Sequence, residues 1–360
     1  MENLEVSRKK GTESKSIGIS EIEKRLDLII NIKGEQGLNK LRDKAKTLAT
    51  QLNLQTEYEK LNKIISALLS THPSHILTSP LARARAFGLP YDINRITIFE
   101  KLFIDLKNGI FLELKDTRND LSFKNISFFE SYFSNYIEGT EFEIEEALKI
   151  IDSGSPMQMR NEDSHDILGT YQLVSNRFEM NRIPMNSIDL IEILLHRHKI
   201  LLSARAHKNP GSFKDKNNRA GDTQFVDYKL VRGTLEKGYD YYQALDDPFA
   251  RACFMMFLIS EVHPFLDGNG RIARVMMNAE LVHRGQSKII IPTVYRDDYM
   301  IALRKLSRQK DTKAYLNMMR RAYLFSATIL GNDFSEMKQI LTASNSFKSS
   351  DDARLKIKGE

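Results

Sequence analysis

The sequence predicts a predominantly α-helical fold with one small β-hairpin. Two observations lead there: apolar residues recur at helical spacing in most segments, and one segment, residues 209–234, breaks that rhythm with turn dipeptides and a short strand-like run. A third bounds the class. At 41% hydrophobic and 28% charged over 360 residues, the chain has the balance of a folded globular protein. Its length admits two or three domains, or one large domain with an extension.

From about Ile19 to Leu69 the helical spacing of Leu38, Leu41, Ala45, Leu48 and Leu52 predicts a helical N-terminal region, residues 1–75, with packing or oligomerisation as its expected role. The Pro- and Ser-rich stretch from Thr71 to Pro80 reads as a connection or domain boundary. Helices follow at about 96–106, 127–138, 143–151, 164–177 and 187–205. Ile188, Ile191, Leu195, His198, Leu202 and Arg205 mark successive turns of the last. Within 209–234, Asn-Pro-Gly and Ala-Gly mark turns, and the run from Gln224 to Val231 reads as strand. Helices resume at about Pro248 and continue through Leu330; the tail, residues 343–360, is poor in large apolar side chains and is expected to be mobile.

Several function classes drop out at this level. No apolar run approaches the ~20 residues of a membrane span, and Met1 to Gly18 is polar, so the cytoplasm is the expected location. Cys253, the single cysteine, sits in an apolar run and reads as a buried structural thiol; no Cys/His set has zinc spacing. The net charge of +6 and pI of 9.1 permit nucleic-acid binding, but Lys and Arg are interleaved with Asp and Glu, as on a solvated basic surface.

The chemistry concentrates in His263-Pro-Phe-Leu-Asp-Gly-Asn-Gly-Arg-Ile-Ala-Arg274. The apolar run before it predicts a buried helix, which Pro264 ends. Gly268, Asn269 and Gly270 tolerate positive φ and expose backbone N–H groups that can converge on an anion. Ile272, Val275, Met276, Ala279 and Val282 then share one face, so a second helix opens at the turn and points its N-terminus at the same place. Arg271 and Arg274 lie on its opening turn. Asp267 adds a hard oxygen suited to Mg²⁺, and His263 a group that titrates near neutrality, suited to general base work. Asp-Gly and Asn-Gly are also common turn dipeptides, but a plain turn between helices needs neither two glycines nor two arginines.

This segment resembles the signature of the Fic-domain family, His-x-Phe-x-(Asp/Glu)-Gly-Asn-Gly-Arg-x-x-Arg, at every fixed position. Asn209-Pro-Gly-Ser-Phe-Lys214 and Arg219-Ala-Gly221 are similar to the Pro-Gly-x-Phe-Arg element and flap hairpin upstream of it. The resemblance covers about residues 87–330 and implies a Fic-type helical bundle with a hairpin flap. It further implies protein AMPylation, the transfer of AMP from ATP to a Ser, Thr or Tyr hydroxyl of a target protein or of the chain itself. Under it, His263 is the catalytic base, Asp267 the Mg²⁺ ligand, and Gly268, Asn269, Gly270, Arg271 and Arg274 bind phosphate, while Phe265 packs the motif. The flap residues Phe225, Val226 and Tyr228 would dock the target, although the flap lacks the proline run common in relatives.

Ser134-Asn-Tyr-Ile-Glu-Gly139 resembles the family's N-terminal inhibitory motif (Ser/Thr)-x-x-x-Glu-(Gly/Asn). The resemblance implies that Ser134, Glu138 and Gly139 form an inhibitory element in which Glu138 pairs with Arg274 and removes the cation the γ-phosphate needs. In some members the same glutamate supports removal of AMP, which the sequence leaves open. A nucleic-acid-associated regulator that uses the phosphate turn as a ligand sensor is the lower-ranked alternative, carried by charge alone.

Overall fold

The structure, a computed structural model, describes residues 17–69, 76–331 and 333–357. The chain divides into two compact units between Ile93 and Asn94. Among the described residues the only sheet is a two-stranded hairpin; the rest is helix and connection, as the sequence predicts.

The first unit is built from α1 (Ile19–Leu52), α2 (Gln55–Leu68) and α3 (Pro80–Ala86). Leu26, Ile30 and Leu38 of α1 close on Ile64, Ile65 and Leu68 of α2 and on Leu77 and Ala82. Gly34, at φ 67°, kinks α1, a backbone conformation open to glycine at little cost. The expected stripe is buried only at its start: Leu38 is buried, whereas Leu48 and Leu52 lie exposed. Residues 70–75 of the expected connection lie outside the described residues. The division falls beyond that connection because Leu77 and Ala82 belong to the N-terminal core.

The second unit continues through α4 (Ile93–Lys107), α5 (Asp120–Ile137), α6 (Ile144–Ser153), α7 (Asn161–Val174), the single-turn α8 (Arg177–Met180) and α9 (Ser187–Leu201). Then come strands β1 (Arg219–Ala220) and β2 (Thr223–Gln224), and helices α10 (Val231–Tyr242), α11 (Pro248–Val262), α12 (Asn269–His283), α13 (Arg296–Gln309), α14 (Thr312–Ala327) and α15 (Phe334–Ala343). The antiparallel pair α11 and α12 is the axis, with α10 on α11 and with α5, α7 and α9 on α12. Asp247 caps α11 by accepting from Ala250 N at 2.8 Å, with Pro248 in the first turn. Beyond the cap, residues 252–259 of α11 are buried on every side, which matches their unbroken apolar character. Cys253 lies within that stretch, and burial pushes its thiol pKa well above the ordinary value, so it is a core side chain.

Two expectations are corrected. The run from Gln224 to Val231 is strand only at its first residue. Asp227 accepts from Lys229 N at 2.9 Å and starts a tight turn at 228–230, after which Val231, Leu235, Tyr239 and Tyr242 form the buried face of α10. Their helical period outweighs the strand propensity of the residues. The tail is packed rather than loose through residue 357: the Phe347 ring stacks 5.3 Å from Phe133, Leu355 is buried, and Arg321 donates to Leu355 O at 3.1 Å. Two anchoring side chains suffice, which bulk composition hides.

Candidate functional site

The site forms where α11 ends and α12 begins. His263 caps α11 in a left-handed conformation (φ 52°, ψ 61°), with its N–H on Ile259 O at 2.9 Å. The proline that follows disfavours another helical turn. Holding histidine there costs about 1 kcal/mol, the kind of strain a functional loop retains. Its Nδ1 lies 3.3 Å from Ser260 O, which only accepts, so Nδ1 carries the proton and Nε2 keeps its lone pair. The ring is half-buried and stacks on Phe225 with centroids 3.6 Å apart and planes within 5°. Burial, aided by the nearby Lys214 ammonium, lowers its pKa to about 4, so the imidazole is neutral at neutral pH.

The loop that follows is fastened from within. Asn269 accepts from Phe265 N at 2.8 Å and donates to Phe265 O at 2.9 Å, while the fully buried Phe265 ring packs against Phe213 and His198. Gly268, at φ 73°, starts α12; a Cβ there would meet Leu201 and Leu202 side chains at 3.1–3.2 Å. The first intrahelical bond joins Ile272 N to Gly268 O at 3.0 Å, so the N–H groups of Asn269, Gly270 and Arg271 precede the ladder and point from the helix N-terminus.

An anion already sits at that end. Glu138, where α5 stops, places its carboxylate over the opening turn of α12: a Cβ on Gly270 would lie 2.2 Å from Glu138 Oε1. Gly139, at φ 91°, turns the chain away just beyond it. Glu138 Oε1 accepts from Arg274 Nη2 at 2.7 Å. The rest of that guanidinium is also engaged: Nε donates to Ser134 Oγ at 2.9 Å, Nη2 to Ser134 O at 2.8 Å, and Nη1 to Tyr299 Oη at 3.2 Å. Burial would lower the Arg274 pKa, but Tyr299 and Glu138 outweigh it and raise it. The arrangement joins three of the sequence-derived positions, Ser134, Glu138 and Arg274, around one cation.

A cavity of about 580 Å³ opens beside this group, lined by Glu138, His263, Gly270 and Arg274, by Phe225 and the hairpin, and by one face of α13. Among the motif residues, Asp267, Gly268, Asn269 and Arg271 do not line it. The Asp267 side chain is 35% exposed, with Lys208 Nζ at 3.6 Å and Arg271 Nη2 at 3.8 Å. Burial would raise its pKa, but the Gly268 N–H, Arg271, Lys208 and Arg205 together hold it below the ordinary carboxylate value.

Arg271, read from the sequence as a phosphate ligand, has its guanidinium 3% exposed and turned inward: Nη1 pairs with Asp166 Oδ2 at 2.7 Å and donates to Asn135 Oδ1 at 3.3 Å. Asp166 on α7, itself buried, also receives Arg205 at 2.8 Å. Spacing along α12 puts two arginines on one turn but cannot show that a carboxylate from α7 reaches one of them. Removing a buried partner strands charge, at about 3–5 kcal/mol. Asp166→Ala should therefore lower unfolding stability in denaturant titration by about that much; a loss under about 1 kcal/mol would mean that solvent relieves the two arginines.

The flap residues divide. Strands β1 and β2 pair Arg219 with Gln224 and Ala220 with Thr223 around a Gly221-Asp222 turn. Arg308 Nη2 donates to Thr223 Oγ1 at 2.7 Å and Arg95 Nη2 to Gln224 O at 2.5 Å, holding the hairpin beside the cavity. Phe225 faces the site and Tyr228 is exposed, but Val226 is fully buried and so is closed to a docking partner. Sequence reasoning missed the α13 wall, which includes Tyr299, Met300, Leu303 and Arg304. Their spacing marks a helix face without saying what it faces.

Residues 188–281 match the model of the Fic/DOC family. The chain carries a Fic-family domain. The matched region holds α9, the hairpin, α11 and most of α12, and so contains both His263 and Arg274. The chain is also similar to the "Protein adenylyltransferase Fic" of Drosophila willistoni and of Drosophila melanogaster, each at 24% identity over 204 residues, 54% of this chain. It spans about 40% of the length of those relatives. Among solved structures it is similar to Fic-1 (residues 134–508) from C. elegans, at 16% identity over 89% of this chain and 92% of that one, with a TM-score of 0.46. A Fic domain-containing signaling protein from Bacteroides thetaiotaomicron matches at 16% identity over 70% of this chain and 97% of that one, TM-score 0.47. No helix among the described residues is long and apolar enough to cross a membrane.

Proposed function

We propose that this chain is a protein adenylyltransferase that transfers AMP from ATP to a hydroxyl of a target protein, or of itself, and that Glu138 restrains it. The observation that carries this reading is the shared cavity: His263, whose Nε2 is unprotonated, and Gly270 and Arg274 of α12 line one space large enough for a nucleotide. The relatives named as adenylyltransferases support AMP as the transferred group.

In this reading the N–H groups at the start of α12 and the Arg274 guanidinium hold the phosphates, and fixed donors of this kind stabilise developing charge without reorganising. His263 Nε2 takes the proton of the acceptor hydroxyl as its oxygen bonds to the α-phosphorus. The bond from that phosphorus to the bridging oxygen breaks, and pyrophosphate leaves. Asp267 suits Mg²⁺: it is ionised and partly open to solvent, and Mg²⁺ is commonly held by one or two carboxylates with the remaining positions given to phosphates and water. Bound there, Mg²⁺ would neutralise phosphate charge.

Glu138 and the terminal phosphate of ATP then compete for Arg274 and for the same helix end, so the ion pair at 2.7 Å keeps ATP from its productive pose. Label position tests the reaction. Incubated with a cell lysate and Mg²⁺, the chain should mark protein with ATP labelled at the α-phosphorus and not at the γ-phosphorus. Transfer of the γ-label alone would make it a kinase and overturn the reading.

A further inference from the structure

We propose that His198 is a positioning residue that sets the orientation of the Asp267 carboxylate by fixing the peptide plane between Asp267 and Gly268. His198 stands on α9, buried, its ring lying flat on Phe265 with centroids 3.7 Å apart and planes within 7°. Both ring nitrogens are engaged. Gly211 N donates to Nδ1 at 3.0 Å, so Nδ1 is the acceptor and Nε2 bears the proton, which it gives to Asp267 O at 3.1 Å. This is the opposite tautomer from that of His263, and each is dictated by its partners.

The same peptide plane is held at its other end, where Gly268 N donates to Asp267 Oδ1 at 2.7 Å. A peptide group is rigid, so its C=O and N–H turn together. Rotating the plane to release His198 also pulls the N–H away from the carboxylate. His198 therefore acts on the Asp267 side chain through one rigid plane. Two neighbouring bonds keep the rest of the loop in step: Lys214 N donates to Pro264 O at 2.9 Å, and Asn218 Nδ2 to Phe265 O at 2.9 Å. The loop carbonyls at 264, 265 and 267 are thus drawn toward donors from 198–218, and the first α12 amides are left for the ligand. Gly211, at φ 77°, makes the approach to His198 feasible; a Cβ there would crowd Lys199 and Leu195 O.

The inference rests on the proposed nucleotide chemistry in the role given to Asp267 alone. The test uses the full chain carrying Glu138→Gly, a non-hydrolysable ATP analogue as probe, and calorimetry with and without Mg²⁺. His198→Phe keeps a ring for the stack on Phe265 and loses both hydrogen bonds, whereas His198→Gln keeps a donor and an acceptor. Loss of a group that orients a metal ligand typically costs 10- to 100-fold. The Phe variant should therefore lose about 10-fold or more of the affinity gain that Mg²⁺ brings, keep its Mg²⁺-free affinity, and exchange the Gly268 amide faster. The Gln variant should recover part of that gain. An unchanged Mg²⁺-dependent gain in the Phe variant overturns the proposal, as does an equal loss with and without Mg²⁺, which a general loosening would give. Should the parent bind no nucleotide at all, the functional reading fails. Amide exchange at Gly268 then decides the positioning role: faster exchange in the Phe variant supports it, and an unchanged rate overturns it.

Discussion

Replacing Glu138 with glycine should raise the rate of AMP transfer by about 10- to 100-fold, because a hydrogen bond between charged groups contributes about 1.5–3 kcal/mol and each 1.4 kcal/mol is a factor of ten. Three features put the effect at the upper part of that range. Arg274 is buried, its contact with Glu138 Oε1 is short at 2.7 Å, and the same oxygen occupies the opening turn of α12. Glycine removes the ion pair and clears the opening turn, while Ser134 and Tyr299 keep Arg274 in place. The substitution is mild for the backbone, since Glu138 lies at the end of α5 and not inside it. A steady-state rate with an α-labelled substrate reads the effect. An unchanged rate, with nucleotide binding intact, would show that Glu138 is a helix-end residue without a regulatory role.

Replacing His263 with alanine should lower transfer by about 100- to 10,000-fold, the usual contribution of a positioned general base. Nucleotide binding should change little, because the phosphate-holding groups belong to α12. The base should also show itself in the pH dependence. A base whose pKa is lowered to about 4 stays unprotonated at lower pH than an ordinary histidine, so the acid limb of kcat/KM moves down, away from pH 6.5 and toward about 4. Phe225 is part of that shielding through its stack on the ring. A limb near 6.5 would mean that the ring is solvated in the working enzyme.

Much of this was legible in the sequence because the determining interactions are local. Buried helices such as α11 announce themselves through continuous apolar character, and α12 through its period and the glycines before it. The Ser134, Glu138 and Gly139 pattern was readable as a unit because all three lie at one helix end. What the sequence concealed is tertiary. Arg271 and Arg274 look alike along α12, and only their neighbours separate them: Asp166 draws one into the interior, while Glu138, Ser134 and Tyr299 hold the other at the cavity. His198 reads as one more position on the α9 stripe until Gly211 and Asp267 O are seen on its two nitrogens. Val226 reads as flap edge until its burial is seen, and α10 is masked by a strand-like run in front of it.

The central claim is that His263 and Arg274 serve one nucleotide in one cavity, with Glu138 as the restraint. Intact mass of the Glu138→Gly chain and of candidate target proteins, after incubation with ATP and Mg²⁺, tests it most directly. The account predicts an adduct of one AMP, absent when His263→Ala is added. No adduct on any protein, or an adduct of phosphate alone, would contradict it.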